Sequence, residues 1–506
     1  MQFNSYLFLL LFLPAALAGY FGLAHMDKRE WARIFLAAMS LLFFAYGNPW
    51  YLLLLIGSAV FNWYLSRMFC SDRPQALSTV LEEAEQLEDS GGVQAGSGGQ
   101  TCSGTTQGKL LLAAGIAANL GLLFYYKYFN FFLENLNLLF RQDMILTKIL
   151  LPVGISFFTF QQVAWLVDSY RGETGEYGFL DYFIFTVYFP KIAMGPILLH
   201  QEFIPQLKEE SRFRVSPENM SRGLMVFTVG LFKKVILAEF FGSPVAWGFA
   251  QVELLSSADA FLVMLAYTFQ LYFDFSGYCD MAMGISRMFN LELPQNFNSP
   301  YKALSPVEFW KRWHMTLTRF LRKYIYFPLG GSRKGKARTY LNIMAVFLAS
   351  GLWHGADWTF ILWGILHGLA QAFNRAFERP WNRLHTAFQW MACFLFVNLG
   401  WVIFRADSIS QAKQFFKQLV WFGNMQLSPG FIESFKMVEL PMVFQNHRIM
   451  SVFLIYAAAF HLVMNTGNMS EAELKPTLIR GAGTVLLLVW SVISLAGIST
   501  FIYFQF

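Results

Sequence analysis

Three histidines fall close together in this chain, as Arg312-Trp-His314-Met-Thr-Leu317, Leu352-Trp-His354-Gly355 and Leu366-His367-Gly368. A neutral imidazole beside a hydroxyl is the group that general-base catalysis needs. His354 and His367 lie in apolar segments, where desolvation disfavours the imidazolium and leaves the ring able to accept a proton. An ionisable side chain inside a membrane segment points to a functional site, unless a neighbouring carbonyl simply satisfies it. Both readings stay open for any one histidine; three in so short a stretch lean towards chemistry. The glycines flanking His354 allow a tight turn or close backbone approach.

Upstream, Gln270-Leu-Tyr-Phe-Asp274-Phe-Ser-Gly277-Tyr-Cys-Asp280 sets two carboxylates six residues apart in an apolar run. At about 100° per residue they stand roughly 120° apart on a helical wheel, so they form no acid/base dyad on one face. Each needs its own partner, an arginine or a histidine of the core. A structural polar knot and a substrate contact fit that arrangement equally well. Asn296-Phe-Asn-Ser-Pro-Tyr301 then reads as a turn.

Residues 306–326 carry Trp310, Trp313, Leu317, Phe320, Leu321 and Tyr324 at helical spacing, with Lys311, Arg312, Arg319, Arg322 and Lys323 largely elsewhere. The spacing predicts one basic amphipathic helix with His314 inside it. Such a helix anchors at a membrane interface. The functional alternative to this plainer reading is a basic mouth that attracts a polyanionic donor such as a nucleotide or coenzyme A. No Walker loop, GxSxG elbow or GxGxxG fingerprint occurs. The four cysteines lack any CxxC pair or metal-ligand spacing, so neither a disulfide framework nor a metal site is expected.

The elements that must position these groups are membrane helices. Of 506 residues, 56% are hydrophobic and only 14% charged, with a mean hydropathy of +0.41. An average soluble domain is about 25% charged. A soluble, disordered or nucleic-acid-binding chain is excluded on those numbers. The 56 phenylalanines and 15 tryptophans suit a lipid-facing body with aromatic belts. The fold expected is an all-α polytopic bundle of about 11–12 spans of the length a bilayer needs. They fall at 3–24, 31–47, 50–66, 110–132, 148–168, 222–243, 259–289, 340–356, 357–373, 386–405, 448–466 and 479–505. Segment 181–200 is apolar but interrupted by Pro190, Gly195 and Pro196, which predicts a re-entrant or interfacial hairpin.

The first run resembles a signal peptide, with Ala16-Leu17-Ala18 as a cleavage site, but no Lys or Arg precedes it. It is read as a retained span. Loops 25–33, 290–339 and 374–385 hold the basic excess; loop 290–339 alone has ten Lys and Arg against Glu292 and Glu308. Twelve crossings place all three in the cytoplasm and both termini outside. Residues 71–108, rich in Ser, Gly and Glu, cannot bury enough apolar area to offset the entropy of ordering. They are expected to be a disordered cytoplasmic linker, with a short acidic helix near 81–88, inside one membrane domain of 1–506.

Together these motifs are familiar. Leu271-Tyr-Phe-Asp-Phe-Ser-Gly-Tyr-Cys-Asp280, Asn296-Phe-Asn-Ser-Pro-Tyr301, Phe309-Trp-Lys-Arg-Trp-His314 and Ser350-Gly-Leu-Trp-His-Gly355 resemble the membrane-bound O-acyltransferase family. More narrowly, they resemble its bacterial branch that acylates cell-envelope polymers such as alginate, peptidoglycan, cellulose and teichoic acid. The opening Phe3-Asn-Ser-Tyr6 and the late Trp401-Val-Ile-Phe-Arg405-Ala-Asp are similar to that branch too. The resemblance implies a bundle with a central tunnel where a cytoplasmic acyl donor and an external acceptor meet. It implies that His354 is the catalytic histidine, that His314 is a second one, and that His367, Asp274, Asp280, Trp313, Trp353 and Asn296 bind substrate or line the tunnel. The basic mouth would be Lys311, Arg312, Arg319, Arg322 and Lys323. Implied as well are acetyl-CoA as donor without a tightly bound cofactor, a polysaccharide acceptor, an SGNH-type periplasmic partner and a place in the bacterial inner membrane. D-alanyl transfer from a carrier protein, or a polytopic transporter, are the alternatives.

Overall fold

The computed structural model describes residues 1–69, 106–435, 442–468 and 477–497, and among these every regular element is helical. The principal helices are α1 (Leu13–His25), α2 (Arg29–Ala45), α3 (Trp50–Met68), α4 (Thr106–Leu123), α5 (Phe129–Phe140), α6 (Ile155–Tyr170), α7 (Phe179–Val187), α8 (Pro217–Phe232), α9 (Glu239–Ala250) and α10 (Ser257–Met288). They continue with α11 (Pro306–Arg312), α12 (Met315–Leu321), α13 (Lys336–His354), α14 (Trp358–Ala376), α15 (Thr386–Arg405), α16 (Ile409–Val420), α17 (Arg448–Asn465) and α18 (Leu478–Ile493). Two of the joins are single π-helical turns, Phe124–Tyr128 between α4 and α5 and Lys233–Ala238 between α8 and α9. Such bulges occur often at functional sites.

Helix α10 is the axis of the fold. Its start is set by a capping box, in which Ser256 accepts from the Asp259 amide and the Asp259 carboxylate accepts from the Ser256 amide. Its 32 residues extend for about 48 Å at 1.5 Å each, longer than the hydrocarbon core of a bilayer. One side packs into a cluster containing Phe241, Phe269, Trp313, Trp363 and Trp401, the other into one containing Phe3, Phe8, Tyr20 and Phe189.

Helices α8 and α10 meet backbone to backbone. A Cβ on Gly230 would stand 2.5 Å from the Gly277 carbonyl oxygen, and one on Gly284 2.6 Å from that of Gly223. Small residues let membrane helices approach in this way. Gly230→Val therefore has to force α8 off α10, and overpacking of that kind costs ~1–3 kcal/mol. Thermal melting in detergent checks this: Gly230→Val lowers the midpoint by several degrees, whereas Gly121→Ala, with nothing within 4 Å of its added Cβ, does not.

Each of the twelve expected spans coincides with a helix, with adjustments. Four helical stretches, Phe8–His25, Thr106–Phe140, Thr386–Arg405 and Arg448–Asn465, are long and apolar enough to cross a membrane on length and composition, and Leu478–Ile493 is a shorter apolar one. Helix α10, by contrast, carries Asp274 and Asp280, which are paired with lysines inside the protein. The segment expected from 148 becomes helical only at Ile155, after Pro152 and a left-handed Gly154. Residues 181–200 are packed within the protein, with all but Phe183 and Leu199 buried. The continuous helix expected over 306–326 is broken at His314. The Ser- and Gly-rich stretch lies almost wholly outside the described residues, although its last three, 106–108, open α4. Residues 498–505 of the last expected span also lie outside them.

Candidate active site

Helices α13 and α14 form a close hairpin that carries His354 and His367. Gly351 and Gly364 make the contact: added Cβ atoms would stand 2.4 Å from the Phe360 carbonyl oxygen and 2.5 Å from that of Phe347. His354 is the last residue of α13, where helix carbonyls lose their intrahelical partners. Those carbonyls are met from the π-turn after α4. Lys127 Nζ donates to the carbonyls of Trp353 (2.7 Å) and His354 (2.8 Å), and Tyr128 Oη to that of Leu352 (2.6 Å). The buried imidazole of His354 packs edge-on against Trp353, Trp363 and Phe404, with centroids 4.9–5.2 Å apart.

His354 faces a cavity. A pocket of about 70 Å³ is bounded by His354, Trp353, Lys127, the 151–157 segment, Ala193 and Met194. Beside it lies a larger pocket of about 340 Å³, bounded by Tyr126, Asn130, Asp357 and Phe360 among others. Lys127 and Leu151 form walls of both.

His314 sits between α11 and α12 with φ +45°, a left-handed conformation that a non-glycine residue holds only under tertiary constraint. Asn296 supplies the constraint. Its Oδ1 accepts from the Thr316 amide (3.2 Å) and hydroxyl (2.9 Å) and lies 3.2 Å from His314 Nδ1. Its Nδ2 donates to Cys279 Sγ, and its own carbonyl accepts from the Met315 amide. An amide oxygen only accepts, so Nδ1 carries the proton and Nε2 keeps a lone pair. Nε2 is buried and has no hydrogen-bond partner among the described residues. Both histidines pack on the Trp353 indole, His314 at 5.9 Å and His354 at 4.9 Å. Asn296→Ala frees the His314 tautomer and removes hydrogen bonds worth ~1 kcal/mol each. Any reaction that relies on His314 is expected to fall by about tenfold, read as kcat with purified protein.

The remaining predicted residues are distributed as follows. His367 accepts from Trp310 Nε1 at its Nδ1 (3.2 Å) and is enclosed by Trp363, Phe396 and Gly400, away from both pockets. Trp313 stacks on Phe309 and meets Trp401 and Phe297 in the core, while Trp353 lines the smaller pocket. Asp274 and Asp280 do have separate partners, but these are lysines rather than an arginine or histidine: Lys234 at 2.6 Å and Lys233 at 2.6 Å, both on the π-turn after α8. Asp280 also accepts from Asn468 Nδ2 (2.8 Å), and Asn468 Oδ1 accepts from the amides of Asn296 and Phe297. The polar knot therefore buttresses the strand of backbone that holds His314. Three of the five basic-mouth residues are neutralised within the fold. Arg312 pairs with Glu308, Arg319 with Glu202, and Lys323 with Asp168 and Glu173. Lys311 and Arg322 are exposed. Sequence reasoning passed over Lys127, Lys233 and Lys234, although a lysine within an apolar run is itself a signal. Asn468 offered no signal.

Residues 110–410 match the membrane-bound O-acyltransferase family. Over 455 residues the chain is 38% identical to a peptidoglycan O-acetyltransferase of Helicobacter pylori, covering 84% of this chain and 81% of that protein. Over 434 residues it is 35% identical to a probable alginate O-acetylase of Pseudomonas aeruginosa, covering 85% and 76%. A teichoic acid D-alanyltransferase of Bacillus subtilis is 26% identical over 268 residues, 50% of this chain and 68% of that one.

Proposed function

The chain belongs to the membrane-bound O-acyltransferase family and is an O-acyltransferase, and on that premise we propose that it carries acetyl groups from cytoplasmic acetyl-CoA to hydroxyls of an extracytoplasmic cell-envelope polysaccharide. One observation carries the reading: His354, at the end of a helix, lines a pocket that adjoins a larger one. His354 takes the proton of the acceptor hydroxyl as its oxygen attacks the thioester carbonyl carbon. The tetrahedral adduct collapses with cleavage of the C–S bond, and His354 returns the proton to the thiolate. The products are an ester and free coenzyme A, and the imidazole ends neutral. His314, fixed by Asn296 and packed on Trp353 of the smaller pocket, orients the reactants. In the cell, an SGNH-type partner on the outer side aids delivery to the polymer, a step that soluble oligosaccharide in excess bypasses.

Acetyl is favoured over D-alanyl because alignment with the O-acetyltransferases extends over 84–85% of the chain, against 50% for the B. subtilis D-alanyltransferase. The test uses purified protein in proteoliposomes with radiolabelled acetyl-CoA and either peptidoglycan or alginate oligosaccharides in excess. Labelled ester on one of them, with stoichiometric release of coenzyme A, is the expected result. Ester formation that requires a D-alanyl carrier protein, or solute flux without any thioester consumption, would overturn the reading.

A further inference from the structure

Lys127 is a half-buried cation whose surroundings differ from those of the buried Lys233 and Lys234. The ammonium groups of Lys233 and Lys234 each meet a carboxylate oxygen at 2.6 Å. Among the described residues, no carboxylate lies within ion-pair distance of Lys127 Nζ; its partners are the carbonyls of Trp353 and His354. An ammonium has three N–H donors, and the two carbonyls use two of them. Lys127 is also a lining residue of both pockets beside His354. It projects from a π-turn, Phe124–Tyr128, that departs from the regular helix where the lysine meets the end of α13. A cation half-buried in an apolar stretch is expensive unless something anionic shares it.

We propose that Lys127 is a catalytic residue, whose ammonium stabilises the oxyanion that forms on the thioester carbonyl when the acceptor hydroxyl attacks. This rests on the acyl-transfer reading above. As the new C–O bond forms, the carbonyl π pair moves onto oxygen beside Nζ, while the hydroxyl proton moves to His354. When the C–S bond breaks, the carbonyl re-forms, the thiolate takes the proton back from His354, and Lys127 is unchanged. Bonds to the Trp353 and His354 carbonyls fix the ammonium against the residue that carries the base, so one helix end sets the geometry of both groups. A donor preorganised in a water-poor site acts most strongly where charge develops.

The test compares Lys127→Met with Tyr128→Phe, which removes a neighbouring bond to the same helix end. Removal of one oxyanion donor lowers kcat by about 10²–10³-fold. Lys127→Met is expected to show that loss with the KM for acetyl-CoA changed less than threefold, while Tyr128→Phe stays within threefold of wild type. If Lys127→Met does not fold, Lys127→Gln serves, because its amide keeps two N–H donors for the carbonyls but carries no charge; the same loss is expected. The proposal is overturned if a folded variant keeps kcat within tenfold of wild type. It is equally overturned if Tyr128→Phe loses as much, which marks a helix cap, or if only the acceptor KM rises, which marks a binding site for an anionic acceptor. Wild-type protein that leaves acetyl-CoA intact with every acceptor overturns the acyl-transfer reading itself and this assignment with it.

Discussion

His354→Ala is expected to lower acyl transfer by about 10²–10⁴-fold, the usual loss on removal of a positioned general base. The fold should survive. The bonds that secure the end of α13 run from Lys127 and Tyr128 to backbone carbonyls, which alanine retains. The hairpin contact through Gly351 and Gly364 is likewise independent of the imidazole. The measurement pairs initial rates of ester formation with a thermal melt of the same preparation. A folded variant that acylates its acceptor at the wild-type rate contradicts the assignment.

Asp280→Leu is expected to produce the largest loss of stability. The mutation leaves the Lys233 ammonium, 7% exposed, without its carboxylate, and breaking a buried pair from one side costs ~3–5 kcal/mol. Replacing both partners with apolar groups of similar volume is often neutral or better. Lys233→Met combined with Asp280→Leu should therefore recover most of the melting temperature lost in the single variant. Rate and stability should then part company. The double variant still lacks the carboxylate that accepts from Asn468, the residue that holds the Asn296 backbone beneath His314, so its kcat stays below wild type. A single variant as stable as wild type would show that the pair is solvated or dispensable.

These two predictions rest on features that were unequally legible in the sequence. The helices were readable because a bilayer imposes long apolar runs, and the glycines beside His354 announced a close backbone approach. His354 and His367 stood out because ionisable groups are rare in such runs, and His314 because it fell inside the amphipathic stretch 306–326. The break at His314 was not readable. Aromatic residues continue at helical spacing through 310–324, since α11 and α12 both bury that face, and the left-handed turn is imposed from outside by Asn296. The partners of Asp274 and Asp280 were hidden for a related reason: a helical wheel gives the angle between two residues but not the identity of the facing helix. Charge counting along loop 290–339 likewise could not reveal that Arg312, Arg319 and Lys323 are engaged by carboxylates, two of them by acids from distant segments. Lys127 was within reach, as a lone cation in the apolar run 110–132. Its significance came only from the fold, which brings it against a helix end more than two hundred residues away.

The claim on which the account turns is that donor and acceptor meet at His354 from opposite faces of the membrane. It is tested by sealing peptidoglycan or alginate oligosaccharide inside proteoliposomes and supplying radiolabelled acetyl-CoA only outside. The account predicts labelled ester on the luminal saccharide with wild-type protein and none above background with His354→Ala. Ester that forms only when donor and saccharide share one compartment would contradict it.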